Sequence, residues 1–86
     1  RQLKKMRSCS ALPDIWIMEP RRSYFGCFLE VKKEGTTIFK KDGDIRADEH
    51  LKAQHNILQK LQEKNYFAHF VVGYDSAIAM IDYYLG

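Results

Sequence analysis

The sequence predicts an α/β domain built on a mixed sheet, in the order (α)ββ(β)αβα, and three stretches carry that prediction. The run Tyr24 to Leu29 leads, apolar, into Glu30-Val31-Lys32; residues 46–64 repeat apolar side chains at helical spacing; and Tyr66 to Gly73 is almost continuously apolar. A helix between two strands of one sheet is the connection that a parallel pair requires. The 86 residues suit a single domain with a small core. A content of 45% hydrophobic and 29% charged residues excludes a disordered chain. No apolar run approaches the roughly 20 residues of a bilayer-spanning helix, and no signal peptide is visible, so no membrane partner is expected.

Taken in order, residues 1–7 read as the end of a basic helix whose start lies upstream of Arg1, and Ser8-Cys9-Ser10 as a turn. The first strand is expected from Leu12 to Met18, with Pro13 near its first position, where a missing N–H is tolerable. Glu19 to Ser23 makes a five-residue hairpin loop, and the second strand follows from Tyr24 to Lys32. Alternation along it sends Cys27, Leu29 and Val31 into a core and leaves Phe28, Glu30 and Lys32 together on the opposite surface. The polar stretch 33–44 is long for a connection in so small a domain, and Thr37-Ile38-Phe39 inside it is a candidate edge strand.

The long helix is expected from Ile45 or Arg46 to Lys64, because Ala47, Leu51, Gln54, Leu58 and Leu61 fall on one stripe. Asp48 and Glu49 in its first turn and Lys60 and Lys64 in its last suit the helix dipole, and Asn65 fits a left-handed position just past the end. Gln54 is the polar exception within the stripe. The run from Tyr66 to Gly73 reads as a central strand covered on both faces. Asp75 or Ser76 caps a last helix through Leu85, with Ile78, Ile81 and Leu85 facing the core. Met80 falls opposite part of that stripe, so the helix carries a second apolar face suited to a partner.

Charge is unevenly spread. Residues 1–46 hold eleven Lys/Arg against six Asp/Glu, and residues 47–86 hold three against five. A basic first half suits a polyanionic partner, although a solvated surface has the same composition. Arg21, Arg22, Lys33, Lys40 and Lys41 are candidate phosphate contacts. Cys9 and Cys27, with His50, His55 and His69, lack zinc-ligand spacing, and a buried Cys27 in a reducing compartment is the simpler expectation.

Pro13-Asp14 opens the first strand sixteen residues before Glu30. If the two strands pair, Asp14, Glu30 and Lys32 converge at one edge of the sheet, two carboxylates and an ammonium that suit a hard cation. A Glu-x-Lys triplet alone more often forms a solvated ion pair. With Gln54 returned over the sheet by the helix, the chain resembles the PD-(D/E)xK nuclease superfamily, and within it the VRR-NUC (virus-type replication and repair nuclease) family, over residues 11–85.

The resemblance implies a restriction-endonuclease-like mixed sheet flanked by helices. It also implies a metal-dependent endonuclease acting on branched DNA, such as four-way junctions or flaps, in replication, recombination or repair. Such a domain is expected to work as a homodimer in the cytoplasm of a bacterium or from a bacteriophage genome. The implied catalytic set is Asp14, Glu30, Lys32 and Gln54. Asp14, Glu30 and the backbone carbonyl of Val31 would hold Mg²⁺ or Mn²⁺, Lys32 would position or deprotonate the attacking water, and Gln54 would orient that water or a phosphate oxygen. Two departures accompany the resemblance: Ala11 stands where the family usually has Gly, and residues 1–7 carry no acid where the family's first helix contributes one. A nuclease fold kept only for nucleic-acid or protein binding is the alternative.

Overall fold

The computed structural model describes residues 11–86, so the helix and turn expected over residues 1–10 lie outside the described residues. Strands β1 (Ile15–Ile17), β2 (Cys27–Lys32) and β3 (Phe67–Val72) form one sheet in that order. β1 runs antiparallel to β2, with Ile15 opposite Leu29 and Trp16 opposite Phe28. β3 runs parallel to β2, Cys27 opposite Phe67 through Lys32 opposite Val72. Helix α1 (Glu49–Glu63) makes the crossover between them, and α2 (Tyr74–Leu85) follows β3. The mixed sheet and the parallel crossover are those the sequence implies.

The middle strand is β2, not β3 as the sequence suggested. β3 lies at an edge, and its apolar run reflects helices on both faces rather than strands on both sides. On one face Cys27, Leu29, Phe67 and Val71 pack with Ala77 and Tyr84 of α2. On the other face α1 buries Leu51, Gln54 and Leu58, and Gln62 donates to the Ala68 carbonyl at 2.6 Å.

Several boundaries differ from expectation, each for a local reason. β1 is only three residues long, although the Asp14 N–H still reaches the Leu29 carbonyl at 3.0 Å. The hairpin turn is tighter than five residues. Arg22 and Ser23 both take positive φ (52° and 69°), and Arg21 and Tyr24 exchange backbone hydrogen bonds across them. Two consecutive left-handed residues give the type I′ twist that matches flanking strands. Segment 37–39 forms no strand of the sheet. Phe39 bridges Ile45 around the Asp42-Gly43 turn while Ile38 turns into the interior, so this loop satisfies its own backbone. α1 starts later than expected because Asp48 serves as its N-cap, accepting from the Leu51 N–H at 2.9 Å. That hydrogen bond holds the Asp48 carboxyl below its ordinary value. Asn65 follows the helix at φ 71°, as its position implied.

The last helix is rotated relative to expectation. Its inward stripe is Ala77, Met80, Ile81 and Tyr84, while Ile78 and Leu85 are each 40% exposed. Tyr84 sets that rotation: its ring is fully buried on Phe67, and its hydroxyl donates to the Glu19 carbonyl at 2.6 Å. Neither Asp75 nor Ser76 caps the helix. The cap residue is Gly73 at φ 89°, and a Cβ there would come within 3.0 Å of the Glu34 carboxylate.

Candidate active site

Sheet pairing brings the predicted residues together. Trp16 opposite Phe28 places Asp14 beside Glu30 in the next rung, and Glu30 in turn lies opposite Phe70 of β3. Asp14 is exposed at the sheet margin, where its Oδ2 accepts from the Val31 N–H at 3.0 Å. Glu30 is buried, 4% exposed, because α1 crosses over it. The expected exposed row of Phe28, Glu30 and Lys32 is thus interrupted at its centre.

Lys32 and Gln54 both support a carboxylate there. Leu51 and Leu58 fix the face of α1, and between them the Gln54 amide Nε2 donates to Glu30 Oε2 at 2.8 Å. Lys32, on the same face of β2, holds Nζ 3.8 Å from that oxygen with its side chain 18% exposed. Asp14, Glu30, Lys32 and Gln54 therefore form one constellation. His50, considered from the sequence only as a zinc ligand, also stands at this site, its Nε2 3.3 Å from Gln54 Nε2. Its spacing of four from Gln54 on a helix was the available signal.

Glu30 is pushed up to about 7 from an ordinary 4.5, first by burial and then by the neighbouring Asp14 carboxylate. Lys32 and the Gln54 hydrogen bond oppose the shift. Near neutral pH the carboxyl is therefore divided between its protonated and ionised forms. Two buried acceptors, Glu30 Oε1 and Gln54 Oε1, find no partner among the described residues. Orphaned acceptors cost about 1–3 kcal/mol each, and a cation with its waters would satisfy both. The donor set is all oxygen and fits Mg²⁺ or Mn²⁺ rather than zinc. Among the described residues no third His, Cys, Asp or Glu joins the two carboxylates, so backbone carbonyl and water would complete the shell.

The basic candidates divide. Arg21 and Arg22 are engaged at the end of α2: Arg22 Nε donates to the Tyr83 carbonyl at 2.7 Å with its guanidinium over the Tyr83 ring, and Arg21 Nε approaches the Leu85 carbonyl at 3.4 Å. They complete a helix C-terminus that has no basic residue of its own in its last turn. Lys33, just past β2, and Lys40 and Lys41, in the turn closed by the Phe39–Ile45 bridge, are exposed, with Lys40 Nζ 4.0 Å from Asp42 Oδ2. Cys27 is buried with its thiol pushed up to about 11, an inert core residue. No helix among the described residues is long and apolar enough to cross a membrane.

No family model matches this sequence, and no curated protein does. Among solved structures, one described as a VRR_NUC domain protein is similar at 26% identity and a TM-score of 0.73. The match covers 98% of this chain and 60% of that one, so the chain spans somewhat less than two thirds of that protein's length. The mixed sheet flanked by helices is of the restriction-endonuclease-like kind, and over nearly its whole described length the chain resembles a VRR-NUC domain.

Proposed function

We propose that the chain is a metal-dependent DNA nuclease whose centre is Asp14, Glu30, Lys32 and Gln54, selective for branched DNA. One observation carries this reading: a buried glutamate beside a second carboxylate, with one oxygen held by Gln54 and the other left without a partner. A solvated ion pair has no need of that burial.

Asp14, Glu30 and the Val31 carbonyl would hold Mg²⁺ or Mn²⁺. Such an ion lowers the pKa of a bound water and polarises the phosphate. Glu30 must be ionised to serve, and Lys32 favours that form while presenting its ammonium to an attacking water or a phosphate oxygen. Gln54 acts on Glu30 by hydrogen bond, and its free Oε1 can accept from a water at the site. Lys33, Lys40 and Lys41 would meet phosphates along the strand with no base preference.

The direct test is incubation of the chain with fluorescent four-way, flap and linear duplex DNA, with and without Mg²⁺ or Mn²⁺. Cleavage of branched substrates only with metal is the expected result; binding without cleavage under any metal favours the binding-module alternative.

Ile78 and Leu85 at 40% exposure, with Tyr74 at 76%, leave apolar surface on the outer side of α2. We expect a homodimer through this helix. Light scattering that finds a monomer at roughly tens of micromolar would exclude paired cuts at a junction but leave nicking intact.

A further inference from the structure

The sheet face that carries the two carboxylates also carries a row of aromatic rings, and that row begins two residues away along each strand. Trp16 stands two residues after Asp14 on one strand, and Phe28 two residues before Glu30 on its neighbour. At 3.3–3.4 Å per residue the separation along the strands is about 7 Å. The indole meets Phe28 edge-on at 5.9 Å, Phe28 meets Tyr66 at 5.2 Å, and Tyr66 meets Phe25 at 5.9 Å.

Trp16 ends this row beside the site, 49% exposed. Its Nε1 donates to the Pro13 carbonyl at 2.8 Å, within the same turn that presents Asp14, so the ring is fixed at one edge and supported by Phe28. α1 covers Glu30 and Ala68 but leaves Trp16 open. α2 and its exposed apolar residues lie on the other face of the sheet, with Leu29. The aromatic row therefore belongs to the nuclease face and not to the surface suited to a second copy.

From this placement we propose that Trp16 is a stacking platform for an unpaired nucleobase next to the scissile phosphate. The proposal rests on the nuclease reading of Asp14 and Glu30 and gives it a substrate class: DNA with at least one unstacked base at the cut. An open π-face accepts any base, whereas a base inside a duplex is stacked on its neighbours and presents no face. The row thus supplies selectivity for single-stranded or branched DNA without sequence readout.

Trp16 is the chain's one tryptophan, so its fluorescence reports on this site alone. The experiment titrates metal-free protein with a ten-residue oligothymidylate and, separately, with a blunt duplex of equal length. Expected are saturable quenching of Trp16 and its shielding from acrylamide by the single strand, and neither by the duplex. Trp16→Ala should weaken single-strand binding about ten-fold or more, and Trp16→Phe should restore most of it. Saturable binding that leaves Trp16 fluorescence and acrylamide access unchanged overturns the proposal in the native protein, whatever the variants do. Equal single-strand affinity of Trp16→Ala and the native chain also overturns it. So does a Trp16→Ala variant that changes oligomeric state while keeping its DNA affinity, which would make the row a protein interface. Since no metal or cleavage is involved, loss of the nuclease reading would appear separately, as stacking without hydrolysis.

Discussion

On the proposed nuclease reading, Glu30→Gln is expected to abolish cleavage and at the same time to make the metal-free protein more stable above neutral pH. The first half follows from removing a site carboxylate. The second follows from linkage. The folded-state pKa of Glu30 is raised from 4.5 to about 7, so between those values the folded state binds the proton more tightly than the unfolded state. Native stability therefore falls as pH rises from about 4.5 to about 7 and is flat above. The full effect is on the order of 3 kcal/mol. Glutamine keeps the shape and can accept the Gln54 hydrogen bond, but it has no charge to bury. Urea unfolding at pH 5 and pH 8 measures this: the native chain should lose stability between the two, and Glu30→Gln should lose much less. In the proposed site Mg²⁺ would compete with the same proton, so its apparent affinity is expected to climb up to about pH 7 and then level. A variant that cuts as well as the native chain, or whose stability follows the same pH curve, would remove Glu30 from the centre.

On the same reading, Gln54→Leu is expected to lower the hydrolysis rate by about ten-fold or more, with a stability effect that depends on pH. Leucine suits the neighbouring Leu51 and Leu58 and removes the unpartnered Oε1. It also removes the donor that holds Glu30 Oε2, one of the interactions favouring the ionised form. At pH 5, where folded Glu30 is protonated, the variant should match or exceed the native chain. At pH 8 it should be weaker by about 1–3 kcal/mol, since the buried carboxylate has lost a partner. Thermal melts at the two pH values, beside cleavage rates per folded molecule, separate the roles. Destabilisation equal at both values together with full activity would place Gln54 in the core alone.

The parts of the molecule legible in the sequence are those with a strong period. Leu51, Gln54 and Leu58 announced the face of α1, and the run into Glu30-Val31-Lys32 announced β2. The juxtaposition of Asp14 with Glu30 was readable because strand pairing is local there. What could not be read depends on contacts distant in sequence. Glu30 was expected on an open surface because nothing in the strand itself records that α1 crosses it. The face of α2 was misjudged because Ile78 and Leu85 look more apolar than Ala77 and Tyr84. The Glu19 carbonyl that satisfies the buried Tyr84 hydroxyl lies 65 positions away. Arg21 and Arg22 resembled phosphate contacts for the same reason, since their acceptors belong to the far end of the chain.

The parallel pairing of β2 with β3 has a kinetic consequence. Every rung joins residues 40 positions apart, from Cys27 with Phe67 to Lys32 with Val72. Such contacts repay chain-closure entropy only after α1 has formed and docked, and chains dominated by them cross their folding barrier slowly. The β1–β2 hairpin can close early and place Asp14 beside Glu30, but the Gln54 contact must await the crossover. A nascent or partly unfolded chain thus carries both carboxylates without the amide that orders them. If the proposed nuclease reading holds, activity in a refolding experiment should trail hairpin formation and coincide with global compaction.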